Sequence, residues 1–215
     1  LEIIKQFLID ELNMKQSQIV PEAPAEYKNI VSDVVDDTSP ISNVIIENNR
    51  VVGFHYRLCE VDANGTKGKW FEESKNKGLL YYLHGYHNVV IGLERALEGK
   101  KIGDRVEITL KPGDAYGERD PAAVLRVPLK KLQMAYGMKR PKIGGLVRVR
   151  SSEGWRNGIV LKPGKFNADV DFNHPLSGRV LHYEVEVELI REASEEEIAQ
   201  GRPLIPNDAV RSEQR

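Results

Sequence analysis

Residues 181–190, LHYEVEVELI, read as one long run in which apolar and polar side chains alternate. Successive side chains of a strand point to opposite faces, so such a run commits the chain to a sheet with one packed face and one wet face. A second run gives the same signal. Val52, Phe54, Tyr56 and Leu58 alternate with Val51, Gly53, His55 and Arg57, which assigns the first set to the packed side and puts Tyr56 inside. Val106, Ile108 and Leu110 alternate within residues 105–110, after a Gly103–Asp104 turn. Between these strands, Val89, Val90, Leu93 and Leu97 share one face of a short helix over residues 89–97. Gly99 stands where a C-terminal cap belongs.

The middle of the chain differs in character. Residues 129–172 hold ten Lys and Arg against three Asp and Glu, a net of +7, whereas the whole chain carries −1. Short apolar runs at 146–150, 157–161 and 168–172, divided by glycine-rich turns, read as a small all-β module. The organisation expected is an N-terminal helix and linker at 1–41, then the first part of the main domain at 42–128. The module follows at 129–172, the rest of the main domain at 173–201, and a tail at 202–215. Residues 1–13 have helical spacing, and 15–41 carry Pro21, Pro24 and Pro40. Ser194 opens a capping box with Glu197, starting a helix that runs to Gly201.

The near-neutral net charge exerts no global pull toward nucleic acid or anionic membrane. No apolar run approaches membrane-spanning length. A single cysteine, Cys59, excludes an internal disulfide and fits a reducing compartment. A cytoplasmic location is expected. The first residue is not Met, which leaves a processed or exported form open, although the charged, amphipathic start is unlike a signal peptide.

The run LYYLHGYHNVVIGLERALEGKKIGDRVEITLKPGDAYGERDPAAVLRVP, followed after the basic segment by NHPLSGRVLHYEVEVELIREASEEEIAQG, resembles the FKBP family and within it the SlyD-like branch. The collinear motifs are L-H-G, I-G-L-E-x-A-L, the G-D turn, D-A-Y-G-E and N-H-P-L, interrupted where that branch carries an insert. The resemblance implies an α+β fold: an FKBP-like twisted antiparallel sheet wrapped on a short helix, with an inserted small all-β flap domain. It also implies a peptidyl-prolyl cis/trans isomerase with chaperone activity, which needs no cofactor.

Carried over residue by residue, the resemblance makes Tyr56, Phe71, Glu72, Leu80, Val89, Val90, Leu93, Tyr116 and Tyr183 the proline site. Tyr116 would bond a substrate carbonyl through its hydroxyl, and Val90 would bond the substrate chain through its N–H. Glu72 stands where the family has an aspartate, and Leu93 matches the SlyD-type pocket floor where many other members have tryptophan. Unfolded or proline-containing polypeptides are the expected partners. Met134, Tyr136, Met138, Val147, Val149 and Ile159 are the expected client contacts on the module, and its charge suits acidic clients. Two other readings compete. One is a binding chaperone with weak isomerase activity. The other is nucleic-acid or ribosome contact through Arg148, Arg150, Arg156 and Trp155, which weighs less than a solvated basic surface. His84 and His87 invite a metal hypothesis, but they fall on strand and turn, and the tail has neither His nor Cys. No bound metal is expected.

Overall fold

The computed structural model describes residues 44–134, 140–151 and 154–204, together with the backbone of 19–20. The expected helix at 1–13 and most of the linker and tail lie outside the described residues. The chain divides into two units. Among the described residues the larger takes in those up to 115 and from 179 onward, and the smaller takes in 116–178.

In the larger unit the strands are β1 (Ile19–Val20), β2 (Arg50–Val61), β3 (Glu72–Glu73), β4 (Leu79–Leu83), β5 (Arg105–Leu110) and β11 (Val180–Glu192). They form one antiparallel sheet in the order β1-β4-β2-β11-β5, with β3 added to β2. The alternating run of the sequence is β11, which lies between β2 and β5. Leu181, Tyr183, Val185 and Val187 point inward and are buried, while Glu188 is exposed. A bulge between Val187 and Leu189 then shifts the phase. Glu188 is the extra residue, so Ile190 returns to the buried side. The outward set of β2 departs from simple alternation as well. Val51 is fully buried, and a Cβ on Gly53 would stand 2.9 Å from the Tyr81 ring. Tyr81 and Leu189 cover the second face there, which leaves His55 and Arg57 as the partly solvated outward residues.

Helix α1 (Ile91–Leu97) starts two residues later than its apolar spacing suggests. Val90 is its N-cap, with extended dihedrals of φ −60° and ψ 139°. The helix buries Leu93 and Leu97 and sits close to the end of β5, since a Cβ on Gly92 would meet Leu110 Cδ2 at 2.5 Å and the Asp114 carbonyl at 2.9 Å. Gly92→Ala is therefore expected to destabilise the fold by about 1–3 kcal/mol, the usual cost of overpacking. The change should lower the urea midpoint without altering the slope. A variant as stable as the parent would show that the helix has room to retreat. Helix α2 (Glu195–Gln200) has the capping box read from sequence, and Gly201 ends it in the left-handed region at φ 66°.

The smaller unit is a five-stranded antiparallel sheet, ordered β6-β10-β9-β8-β7. Its strands are β6 (Val124–Pro128), β7 (Leu132–Met134), β8 (Leu146–Ser151), β9 (Gly154–Pro163) and β10 (Asn167–Asp171). Its own core gathers Val127, Leu132, Val147, Val160, Ala168 and Val170. The edge strand β6 precedes the charge shift and pairs with β10 along its whole length. Two hydrogen bonds tie the chain where it enters and leaves this sheet. Asp120 N–H donates to Asn173 Oδ1, and Asn173 Nδ2 donates to the Asp120 carbonyl, both at 2.9 Å. Among the described residues no helix is long and apolar enough to cross a membrane.

Candidate active site

Register on the sheet's inner face sets Tyr183 opposite Leu58 and Val185 opposite Tyr56 on β2, and Leu80 of β4 opposite Phe54. Partners in register share a face, so these side chains line one side of the sheet. Burial then divides them. Phe54 and Leu58 are closed off, as are Leu93 and Tyr183 at 3% and 4% exposure. Tyr56, Phe71, Glu72, Leu80, Val89 and Val90 are only half-buried. These six, five apolar and one acidic, are the proposed rim of a proline site, and of them Tyr56 and Leu80 share a sheet face with the closed Phe54, Leu58 and Tyr183.

The local sequence explains the rim. Phe71 N–H donates to the Leu58 carbonyl at 3.1 Å, and Glu72 pairs with Leu58 across β3. Glu72 thereby meets Tyr56, whose hydroxyl donates to Glu72 Oε1 at 2.9 Å. Ser74 clasps the same strand by accepting from Tyr56 N–H at 2.9 Å. At the helix start, the Val90 carbonyl accepts from the N–H groups of Leu93 and Glu94. Val90 N–H stands at the first turn, where helix donors lack intrahelical partners.

Burial pushes the Glu72 carboxyl above its usual value, and the Tyr56 hydroxyl and Lys77 pull it only part of the way back. A raised carboxyl pKa means that ionised Glu72 is less favourable in the folded chain than in the unfolded one. That loss of stability is present above the folded pKa and disappears as pH falls through it. Glu72→Gln keeps an acceptor for Tyr56. It is expected to raise the unfolding midpoint at neutral pH, with the gain shrinking as the pH is lowered into the carboxylate range. A parent protein more stable than the variant at neutral pH would mean that the Tyr56 bond to the charged form dominates.

Tyr116 belongs to the smaller unit. Its ring stacks on His174, with centroids 4.1 Å apart and planes 3° from parallel. Ser177 Oγ donates to its carbonyl at 2.9 Å. The N-H-P-L-S-G stretch therefore holds the D-A-Y-G-E loop.

Of the expected client contacts, Val147 is 2% exposed and belongs to the module core, so it has almost no surface to offer. The period of strand β8 turns it inward. Met134, Val149 and Ile159 are half-buried, and Tyr136 and Met138 lie outside the described residues. The apolar side chains that do face outward are others: Phe166 and Ile143, 72% and 75% exposed, with Trp155, Leu125 and Leu161. Phe166 and Ile143 stand singly among glycines and lysines, where no periodicity marks them. Arg148 lies over the Trp155 ring at 5.3 Å, and Arg156 over Phe172 at 4.8 Å.

His84 and His87 take separate partners. His84 is buried against the Tyr82 hydroxyl at 3.0 Å, and His87 Nδ1 pairs with Glu94 at 3.0 Å. Elsewhere in the larger unit, a groove of about 450 Å³ is lined by charged side chains, including Lys75, Arg105, Glu107, Glu184 and Glu186. Ion pairs such as Arg105–Glu186 cross it, the opposite of an apolar cradle.

A family model for FKBP-type peptidyl-prolyl cis-trans isomerases matches residues 44–188. The chain is 36% identical over 156 residues to the FKBP-type peptidyl-prolyl cis-trans isomerase SlyD of Vibrio cholerae, covering 73% of this chain and 74% of that protein. The SlyD of Haemophilus influenzae is also 36% identical, covering 73% and 78%. That of Escherichia coli is 37% identical over 151 residues, covering 70% and 73%.

Proposed function

The chain belongs to the FKBP-type peptidyl-prolyl cis-trans isomerases, of the SlyD type, and from that premise we propose that its smaller unit captures unfolded or partly folded polypeptides whose X-Pro bonds the larger unit then isomerises, in the cytoplasm. The reaction makes and breaks no covalent bond. Its barrier of about 18–20 kcal/mol is the amide resonance lost on rotation. A site that favours the twisted amide is sufficient, and each ~1.4 kcal/mol of preference gives a factor of ten in rate.

One observation supports the assignment of the proline site: Tyr56, Phe71, Leu80, Val89 and Val90 keep part of their surface open while Leu93 and Tyr183 are closed, with Tyr56, Leu80 and Tyr183 on one face of the sheet. An X-Pro segment seated against that rim leaves water behind. Water stabilises the charge-separated planar amide more than the twisted one, so its removal lowers the barrier. Val90 N–H holds the substrate chain, and Glu72 fixes the Tyr56 hydroxyl. No step requires a nucleophile or a redox group.

Capture by the smaller unit rests on its surface chemistry. Phe166, Ile143, Trp155, Leu125 and Leu161 give scattered apolar contacts within a basic field, and β6 and β7 are sheet edges able to pair with an extended chain. Acidic clients are favoured, and their binding weakens as salt screens the charge. The reading is tested with a protein whose refolding is limited by proline isomerisation. The full chain should speed the slow phase at substoichiometric amounts and suppress aggregation at stoichiometric amounts. Acceleration without any suppression of aggregation would remove capture from the function.

A further inference from the structure

His182 is a polar residue at an outward position of β11, yet it is only 4% exposed. Trp70 covers it, with ring centroids 6.0 Å apart, and Arg57 lies over Trp70 at 4.3 Å. On one side of the imidazole, Nδ1 is 2.8 Å from Thr109 Oγ1. On the other, Nε2 is closed to solvent and has no hydrogen-bond partner among the described residues. A buried polar atom without a partner is rare and calls for a reason. What Nε2 faces is a pair of carboxylates: Glu107 Oε2 at 3.7 Å and Glu184 Oε1 at 3.8 Å. These separations are too long for hydrogen bonds.

We propose that Glu107, His182 and Glu184 bind one first-row divalent transition-metal ion of the zinc type. Their three donor atoms already lie within 4.8 Å of one another. Two ligands on a tetrahedral ion with bonds of about 2.0–2.1 Å stand roughly 3.3 Å apart, so the site closes by small side-chain rotations. A borderline imidazole with two carboxylates suits zinc and its neighbours and is poor for calcium or magnesium, which take oxygen ligands.

The surroundings are those of a ligand set. With Nδ1–H donating to Thr109 Oγ1, the ring presents its Nε2 lone pair to the ion. Arg57 Nε donates to Glu184 Oε2 at 2.6 Å, which fixes that carboxylate and leaves Oε1 for the metal. Glu107 and Glu184 line the charged groove, which supplies a route for entry. Lys67 is the competitor. Its ammonium lies 3.2 Å from Glu107 Oε2 and 3.5 Å from Glu184 Oε1, the two oxygens the ion needs. Lys67 is partly exposed, so its head can swing into water as the metal enters. The site replaces one cation with another, and it reverses the expectation of no bound metal, which weighed His84, His87 and the tail but not His182.

The test is calorimetric titration of the full chain with zinc ions. One ion per chain is expected. His182→Ala and Glu184→Gln should each weaken binding at least tenfold, and His87→Ala should leave it unchanged. Lys67→Ala, a change at a partly exposed side chain that spares the fold, should tighten binding several-fold because the internal competitor is gone. Absence of stoichiometric binding overturns the proposal. So does binding that survives His182→Ala intact, or affinity that fails to rise in Lys67→Ala.

Discussion

Excising residues 121–172, with Asp120 joined to Asn173 through a short glycine linker, should leave isomerisation of proline tetrapeptides within about three-fold of the parent while catalysis of protein refolding falls at least ten-fold. Asp120 and Asn173 are the place to cut, because they already hydrogen-bond to each other at both 2.9 Å contacts. A cut at residue 129, where the charge changes, would instead strip β6 of β10, its partner in the sheet, and bare Val127. The asymmetry between substrates has a simple origin. A tetrapeptide needs only the proposed proline site and gains nothing from a second contact. An unfolded protein that is held elsewhere on the same chain presents its prolines at a raised local concentration, an effect worth orders of magnitude without any change in the site itself. Aggregation suppression should vanish with the same excision, and in the full chain it should weaken with added salt. Equal losses on tetrapeptide and protein, with the remaining unit folded, would mean that the excised sheet shapes the proline site and does not gather clients.

What could be read from the sequence follows the physics of periodicity. The alternation of β11 was legible because Glu184, Glu186 and Glu188 alternate with apolar residues along it, and the capping box of α2 because Ser194 and Glu197 have no other common use at that spacing. The bulge at Glu188 was not legible. Alternation carries no mark of an extra residue until the register partners Phe54 and Gly53 are known. The start of α1 was misplaced for a related reason: Val89 and Val90 have the apolar character of the helix face, but they precede it, half-buried, with Val90 extended as the N-cap. In the smaller unit, composition flagged a basic β module but missed that Val147 packs inward, since short strands leave the phase undetermined. His182 was invisible as a candidate. Its neighbours Glu107 and Trp70 are distant in sequence and meet it only across β5 and the loop before β3. The Tyr56–Glu72 bond likewise joins residues on two strands, β2 and β3, that no sequence period connects.

That bond separates two contributions to the rim, and Tyr56 is where the larger loss of activity is expected. Tyr56→Ala removes a half-buried aromatic wall and leaves the Glu72 carboxyl without the hydroxyl that donates to it at 2.9 Å. The vacated space admits water to the bound amide, which returns the stabilisation of the planar form. A fall in kcat/KM of about ten- to a hundred-fold on tetrapeptides corresponds to roughly 1.4–2.8 kcal/mol of lost preference for the twisted state. Tyr56→Phe tests whether wall or hydrogen bond matters. Phenylalanine keeps the ring and its edge contact with Phe54, whose centroid lies 6.0 Å away, and loses only the hydroxyl. Its activity should stay within about three-fold of the parent, since less than 1 kcal/mol of transition-state preference is at stake. Its stability should drop more than its activity does, because a half-buried acceptor loses its donor. Both losses belong in kcat more than in KM, since the rim acts on the twisted amide and only weakly on the ground state. If Tyr56→Ala is folded and fully active, the rim is not the proline site. If Tyr56→Phe is as impaired as Tyr56→Ala, the hydroxyl and Glu72 act on the substrate directly, and desolvation by the ring is not the source of the rate.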